Sequence, residues 1–334
     1  MIKSLAIRGC LKVWDLRVNL NRNYWLKRAW FGLCIAILIM SGGCAFSTRP
    51  AVTLPVDHRP VLHIGACPGE SVEKTRDQLQ PLMAYLEKKT GYRVELTVTQ
   101  DYKSIISKMY QKQIDVAWFG PFSYILAQKI AGAQAFAGTE NNKSGKVYYS
   151  MLIVHPETGI ESVRQLTGHS LAFTDPGSTS GYLIPKAMLL KYGIDPDKDI
   201  KSAVFLGHHE AAIQAVKKRS VDAAAVSSII LGNMREKGMV GDNDYRIIQT
   251  SEAIPGSGTV WAYRAGLSAD SKAKVKEAFF SANQEEGALG IFAAEFGSFV
   301  PVEDQDYDII REISRLLGMD AIRRVDYEHI NGDS

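Results

Sequence analysis

The stretch "HSLAFTDPGSTSGYLIPKAMLLKYG" (residues 169–193) joins a strand to a helix through a turn rich in hydroxyl groups. The apolar run in "HSLAFTD" predicts the strand, and "SGYLIPKAMLLKYG" predicts a helix that ends at Gly193. Between them stand Ser178, Thr179 and Ser180, of which only one side chain can cap the helix. The remaining hydroxyls and the free N–H groups of the first helical turn can therefore face a ligand.

The same alternation of strand and helix extends along most of the chain. Strands are predicted at "VLHIGAC" (61–67), "YRVELTVT" (92–99), "IDVAWFG" (114–120), "YYSMLIVHP", "SAVFLG", "VDAAAVS", "YRIIQTSE" and "GTVWAYRAG". Amphipathic helices separate most of them, and this order predicts an α/β fold with mainly parallel sheets covered on both faces. Such sheets bind ligands at the carboxyl ends of their strands, where the helices begin.

Several of these strand-to-helix junctions carry small polar or aromatic residues. They are "WFGPFS" (118–123), "GSTSG" (177–181), "GHHE" (207–210) and "SS" (227–228). Because such junctions meet at one edge of a sheet, they predict an anion site. His209 is a candidate donor, with a surface or capping role as the alternative, and Phe119 is a candidate wall residue, with a core position as the alternative.

Composition and motifs exclude several other functions. The 334 residues are 46% hydrophobic and 22% charged, with a net charge of +3. Residues 1–43 hold seven basic side chains and one acidic one, so the rest of the chain has a net charge of −3, which argues against nucleic-acid binding. The sequence has no G-x-S-x-G elbow, P-loop, dinucleotide fingerprint or metal-ligand spacing, so we expect no enzyme activity, cofactor or metal.

The N-terminus has the pattern of an exported lipoprotein. Basic residues up to Lys27 and Arg28 precede the apolar run "WFGLCIAILIM" (30–40) and then "SGGC". This predicts a signal peptide over 1–43, a lipidated Cys44 on the periplasmic or other extracytoplasmic face, and a tether over 44–60. An uncleaved anchor and a signal without lipid are the alternatives, and the unusually long basic region leaves the start codon open. Cys67 is then the one remaining cysteine, so a disulfide scaffold is excluded.

The motifs "DVAWFGPFSY", "DPGSTSGYLIP", "HEAAIQAV", "VDAAAV" and "SEAIPGS", in this order, resemble the phosphate/phosphite/phosphonate family of ABC-transporter substrate-binding proteins. The resemblance covers roughly residues 61–320. It implies a two-lobed periplasmic binding fold of type II, each lobe a mixed, mainly parallel sheet flanked by helices. Lobe one would be 61–154 plus 256–334 and lobe two 155–255, joined by two crossing segments around a ligand cleft.

The resemblance also implies which residues bind the anion. In the family, the Ser-Thr-Ser hydroxyls and the following helix N-terminus hold the oxygens of the ligand. Transferred to this sequence, the implied ligand-binding residues are Tyr102, Tyr148, Ser178, Thr179, Ser180, His209 and Ser257, with Cys67 and Phe119 as further candidates. Relatives that bind aminophosphonates use a Glu and an Asp where this chain has Ile229 and Ser257. We therefore expect weak or no binding of aminoalkylphosphonates.

The resemblance implies a monomeric lipoprotein that delivers its ligand to an ABC permease. Phosphate, phosphite, a small alkylphosphonate and a related oxyanion all stay open as ligands, since Ser257 can both donate and accept. The alternative is a sensor protein that binds an oxyanion and signals to a histidine kinase. Some relatives of that kind bind arsenite through cysteine, so a ligand role for Cys67 stands beside its interpretation as a small buried hydrophobic residue.

Overall fold

The alternating strands and helices of this chain form two sheets, each flanked by helices, in a computed structural model that describes residues 57–141, 145–256 and 258–319. The described residues from His58 onward pack as one unit, and both sheets lie within it. The expected signal peptide over 1–43, Cys44, most of the tether over 44–60, and Ser257 lie outside the described residues.

The first sheet has six strands and belongs to lobe one. Its strands are β1 (Val61–Ala66), β2 (Arg93–Val98), β3 (Val116–Phe119), β4 (Gln134–Glu140), β12 (Val260–Tyr263) and β13 (Ser298–Pro301), in the spatial order β13-β4-β12-β3-β1-β2. Strands β1 to β4 run in one direction, while β12 and β13 run in the other. The sheet is therefore mixed and mainly parallel, as the resemblance implied.

Six helices pack around this sheet. They are α1 (Val72–Thr90), α2 (Tyr102–Tyr110), α3 (Pro121–Ala131), α7 (Ala269–Ser281), α8 (Ile291–Phe296) and α9 (Asp308–Leu316). Their ends follow from local chemistry: the Ser71 side chain accepts a hydrogen bond from Lys74 N at the start of α1, and Gly91, with φ at 75°, ends that helix. Asp101 caps α2 through Ser104 N at 2.7 Å.

The second sheet has five strands and belongs to lobe two. Its strands are β6 (Ser150–Val154), β7 (Ser170–Phe173), β8 (Ser202–Phe205), β9 (Ala223–Ser227) and β10 (Arg246–Thr250), in the spatial order β10-β6-β9-β7-β8. Its main helices are α4 (Ile184–Lys191), α5 (His209–Lys217) and α6 (Ser228–Glu236). Only β6 runs against the other strands, so this sheet is also mainly parallel.

A two-stranded ribbon lies where the chain crosses between the lobes. It consists of β5 (Val147–Tyr148) and β11 (Ile254–Pro255), with Tyr148 paired to Ile254. The sequence predicted one continuous strand over "YYSMLIVHP", but the structure divides this stretch between β5 and β6. Since β6 hydrogen-bonds within the second sheet, the sheets divide the chain before Ser150 and not after residue 154.

Two further local differences separate the structure from the sequence prediction. "SVRQL", predicted as a short helix, forms a 3₁₀ turn at Val163–Leu166. The helix predicted from "SGYL" onward begins as a π-helical turn over Thr179–Leu183, and α4 follows it. Within the described ranges, none of the helices combines the length and the apolar character needed to cross a bilayer.

Candidate functional site

Five helices begin around one small cavity between the two lobes. Tyr102 is the first residue of α2, and His209 is the first residue of α5. Gly120, Ser178 and Ser227 are the N-caps of α3, of the π-helical turn that leads into α4, and of α6. Each helix N-terminus carries a partial positive charge and unpaired N–H groups, so the elements around the cavity favour an anion.

The cavity has a volume of about 50 Å³ and is lined by both polar and apolar residues. Its lining residues are Cys67, Gly69, Tyr102, Trp118, Phe119, Gly120, Tyr148, Ser178, Thr179, Ser180, His209, Ser227, Ile229, Ile230, Gly258 and Phe296. Eight of the nine predicted ligand-binding residues are in this set, and the ninth, Ser257, lies outside the described residues. None of the lining residues in the described part of the chain carries a formal charge.

The sequence pattern did not reveal several of these wall residues. Ile230 and Phe296 were missed because an apolar residue in a helix is far more often part of the core than of a cleft. Phe296 packs edge-on against Trp118 with ring centroids 4.9 Å apart, and Trp118 stacks on Trp261. The apolar part of the cavity wall is therefore continuous with the aromatic core of lobe one.

Two hydroxyl groups of the turn each accept a hydrogen bond from a backbone N–H. Ser178 Oγ accepts from Gly181 N at 3.0 Å, which makes it the helix cap. Thr179 Oγ1 accepts from Phe122 N of lobe one at 2.8 Å. Ser178 also hydrogen-bonds with Tyr102, and Thr179 with Tyr148, so these hydroxyls and phenols form a connected set of donors on the cavity wall.

His209 is held as a neutral donor. Its Nδ1 accepts from Ser227 N at 3.0 Å, so the ring proton of the neutral imidazole is on Nε2. Burial, together with the neighbouring His208, lowers the pKa of His209 to about 3. His208 takes the capping role instead, since its Nδ1 accepts from Ala211 N at 3.2 Å. The two adjacent histidines therefore have different roles.

The two tyrosines and the cysteine are also neutral. Burial raises the pKa of Tyr102 well above its usual range, and the nearby Cys67 and Asp175 act in the same direction, while a hydrogen bond with Ser178 opposes them. Burial likewise raises the pKa of Tyr148, against hydrogen bonds with Thr179 and Ser180. Burial and then Asp175 raise the pKa of Cys67, which is a free thiol. The cavity thus offers hydrogen-bond donors without fixed charge.

Residues that line the cavity form hydrogen bonds between the two lobes. Phe122 N to Thr179 is one of them. His209 N donates to Gly69 O at 3.2 Å, and Tyr102 N donates to Asp175 Oδ2 at 3.3 Å. The cleft is therefore closed around the cavity, which suits a protein that encloses a small solute.

These two lobes and the enclosed cavity at the helix N-termini define a substrate-binding protein of the periplasmic type. The chain belongs to the family described as "ABC transporter, phosphonate, periplasmic substrate-binding protein", which matches residues 64–307. Members of this family are the binding components of transporters and not enzymes.

Individual relatives agree with this assignment. The chain is 29% identical over 318 residues to the phosphate-import protein PhnD of Mycolicibacterium smegmatis, covering 89% of this chain and 98% of that protein. It is 29% identical over 251 residues to the phosphonates-binding periplasmic protein of Escherichia coli, covering 74% and 73%. A solved binding component of a Pseudomonas aeruginosa ABC phosphonate transporter superposes with a TM-score of 0.73 at 25% identity, covering 82% of this chain and 91% of that one.

Proposed function

We propose that this chain captures a small phosphorus oxyanion in the interlobe cavity and delivers it to an ABC permease. One observation carries the proposal: helix N-termini and neutral hydroxyl, phenol and imidazole donors converge on a cavity without a carboxylate among its described lining residues. Hydrogen bonds from such donors to an ionised oxygen are about twice as strong as bonds between neutral groups. The site can therefore bind an anion without a paired cation.

The size of the cavity and the apolar part of its wall limit the substituent on phosphorus. About 50 Å³ leaves little room beyond the oxygens of the anion. Ile229 lies in the wall at the position where aminophosphonate-binding relatives are expected to have a Glu. A ligand ammonium group would be buried there without a partner, at a cost of several kcal/mol. We therefore infer that the ligand is phosphate, phosphite or a one-carbon phosphonate, without an amine.

The proposed location is the outer face of the membrane, with Cys44 as the lipid anchor and the binding unit as a monomer. Transport is favoured over the alternative of a sensor that signals to a histidine kinase. The reason is that the relative matched over nearly its whole length is an import protein. Metabolic labelling of the wild type and of Cys44→Ala with a radioactive fatty acid tests the anchor, because only the wild type is expected to incorporate the label.

The ligand class is tested by differential scanning fluorimetry of the chain from residue 45 onward. The panel is phosphate, phosphite, methylphosphonate, 2-aminoethylphosphonate, arsenate and arsenite, with sulfate as a control. A bound anion at a hundred times its Kd stabilises the fold by about 2.7 kcal/mol, which raises Tm by a few degrees. We expect this for one or more of the first three anions. Tight binding of 2-aminoethylphosphonate would contradict the proposal.

Cys67 is tested in the same assay, since it lies against the cavity with 5% of its surface exposed. Cys67→Ser keeps a small polar side chain and removes the thiol. If Cys67 only packs against the wall, the variant binds every anion of the panel as the wild type does. Loss of arsenite binding in Cys67→Ser alone would favour the thiol-ligand alternative.

A further inference from the structure

Two buried carboxyl side chains lie together on the lobe-one side of the cleft, beside the cavity. Glu70 follows β1 and Glu295 lies in α8, and they are 1% and 5% exposed. Gln78 of α1 donates from Nε2 to a carboxyl oxygen of each of them. A single amide cannot compensate two buried carboxyl groups, so this pair needs a positive charge nearby.

The cation that forms ion pairs with both of them, among the described residues, comes from lobe two. Lys237 directly follows α6, and its Nζ lies 2.6 Å from Glu295 Oε1 and 3.6 Å from Glu70 Oε1. Burial and then Glu295 raise the pKa of Glu70, while Lys237, Lys74 and Gln78 act in the opposite direction. The carboxyl pair therefore receives the Lys237 charge only when the two lobes are together.

The carboxyl pair is connected directly to the wall of the cavity. Gly69 precedes Glu70, Phe296 follows Glu295, and both Gly69 and Phe296 line the cavity. Gly69 O also accepts the hydrogen bond from His209 N. A second interlobe ion pair, Lys74 of α1 with Glu210 of α5, lies on the same side of the cleft. If lobe two moves away from lobe one, Lys237 separates from Glu70 and Glu295. The cavity then opens at this wall.

We propose that Lys237, with Glu70 and Glu295, forms an interlobe latch that holds the two lobes together. Lys237 is a positioning residue, because it does not line the cavity and acts through the carboxyl pair. When the lobes separate, water solvates the carboxyl groups. When they close without Lys237, the groups are buried without their ion-pair partner, which is unfavourable. Only the affinity measurement in the test below depends on the proposed function.

The test compares Lys237→Met with Lys217→Met in the chain from residue 45 onward, which contains the whole packed unit. Lys217 is a matched control: its side chain is 36% exposed against 39% for Lys237, and its Nζ lies 3.2 Å from Asp244 Oδ2 within lobe two. We expect K237M to weaken binding of the tightest anion of the panel by at least about tenfold in calorimetry. Its dissociation rate and its radius of gyration in solution scattering should rise, whereas K217M should change neither.

A triple variant separates the charge from the packing of the lysine. In K237M/E70Q/E295Q no buried carboxylate needs a cation, so most of the lost affinity should return. The latch is overturned if K237M binds and scatters as the wild type does, or if the triple variant is as weak as K237M. It is also overturned if K237M does not fold, because a latch acts on closure and not on the folding of lobe two.

The latch and the proposed function fail in different ways. If the wild type binds none of the anions, the proposed function is wrong, and the latch is judged from scattering alone. K237M must then be more expanded than both the wild type and K217M. If the wild type binds an anion and K237M binds it equally well, the proposed function stands and the latch is wrong.

Discussion

The Thr179 hydroxyl connects three parts of the candidate site, because it is hydrogen-bonded both to α3 of lobe one and to Tyr148 on the ribbon. Its Oγ1 accepts from Phe122 N across the cleft, and it also hydrogen-bonds with Tyr148. The sequence indicated that the Thr179 hydroxyl is not needed as a helix cap. It could not indicate that the acceptor side is used by a residue 57 positions away.

Thr179→Val should weaken anion binding by about 1–3 kcal/mol, since it keeps the side-chain shape, removes the donor and leaves Phe122 N without its acceptor. Isothermal titration calorimetry with the tightest anion measures the change. Thr179→Ser, which retains the hydroxyl, serves as the control and should bind nearly as the wild type does. Equal affinities for Thr179→Val and the wild type would mean that the anion is held elsewhere.

At the scale of the element, the π-helical turn over Thr179–Leu183 brings its backbone against the end of β7. A Cβ added to Gly181 would lie 2.7 Å from Thr174 Cβ, well inside van der Waals contact, and Thr174 is fully buried. Gly181 also donates its N–H to Ser178, so any shift of the turn disturbs the cap. Glycine is required here by close approach and not by a positive φ.

Gly181→Ala should therefore destabilise the fold by about 1–3 kcal/mol and weaken anion binding at the same time. Denaturant unfolding and calorimetry measure the two effects. Gly232→Ala is a matched control within α6, because a Cβ there meets nothing within 4 Å. Alanine is favoured over glycine inside a helix, so this variant should be neutral or more stable by up to about 1 kcal/mol. Similar losses in both variants would exclude the close contact as the cause.

The sequence predicted most of the elements, because the apolar runs of β1, β2, β3, β7 and β9 are separated by amphipathic helices. It did not predict β4, β13 or α8. Strand β4 pairs with β12 and β13, which are distant in sequence, and α8 has only six residues. Long-range pairing and short elements leave little local signal. The hydroxyls, His209 and both tyrosines were predicted, whereas the apolar wall from α8 was not.

At the scale of the whole molecule, Asp175 joins the two lobes at the N-terminus of α2. It lies in lobe two and accepts from Gly177 N at 2.7 Å and from Tyr102 N of lobe one at 3.3 Å. Burial raises its pKa from 3.8 to about 6, although both backbone hydrogen bonds act in the opposite direction. The folded protein therefore binds a proton at Asp175 between about pH 4 and pH 6 that the unfolded chain does not bind.

Because folding raises the pKa of Asp175, this group stabilises the folded protein more at low pH than at neutral pH. The contribution of Asp175 is fully present below about pH 4 and is lost as the pH rises through about 6, by roughly 2–3 kcal/mol in total. Asp175→Asn cannot titrate, so its free energy of unfolding should lack this loss, although it forfeits one acceptor oxygen at every pH. Denaturant unfolding of both proteins from pH 4 to pH 7.5 measures the difference. Parallel pH profiles would show that Asp175 is ionised throughout.

Tyr148 lies on the ribbon of β5 and β11, where the chain passes from one lobe to the other. A side chain beside the axis of a hinge is displaced little while the two lobes swing through a large arc. An anion that enters the open cleft would thus meet Tyr148 at nearly its final distance, before the lobes have approached each other. Binding would then start at the ribbon, and the other donors would add to the contact between Tyr148 and the anion as the lobes close.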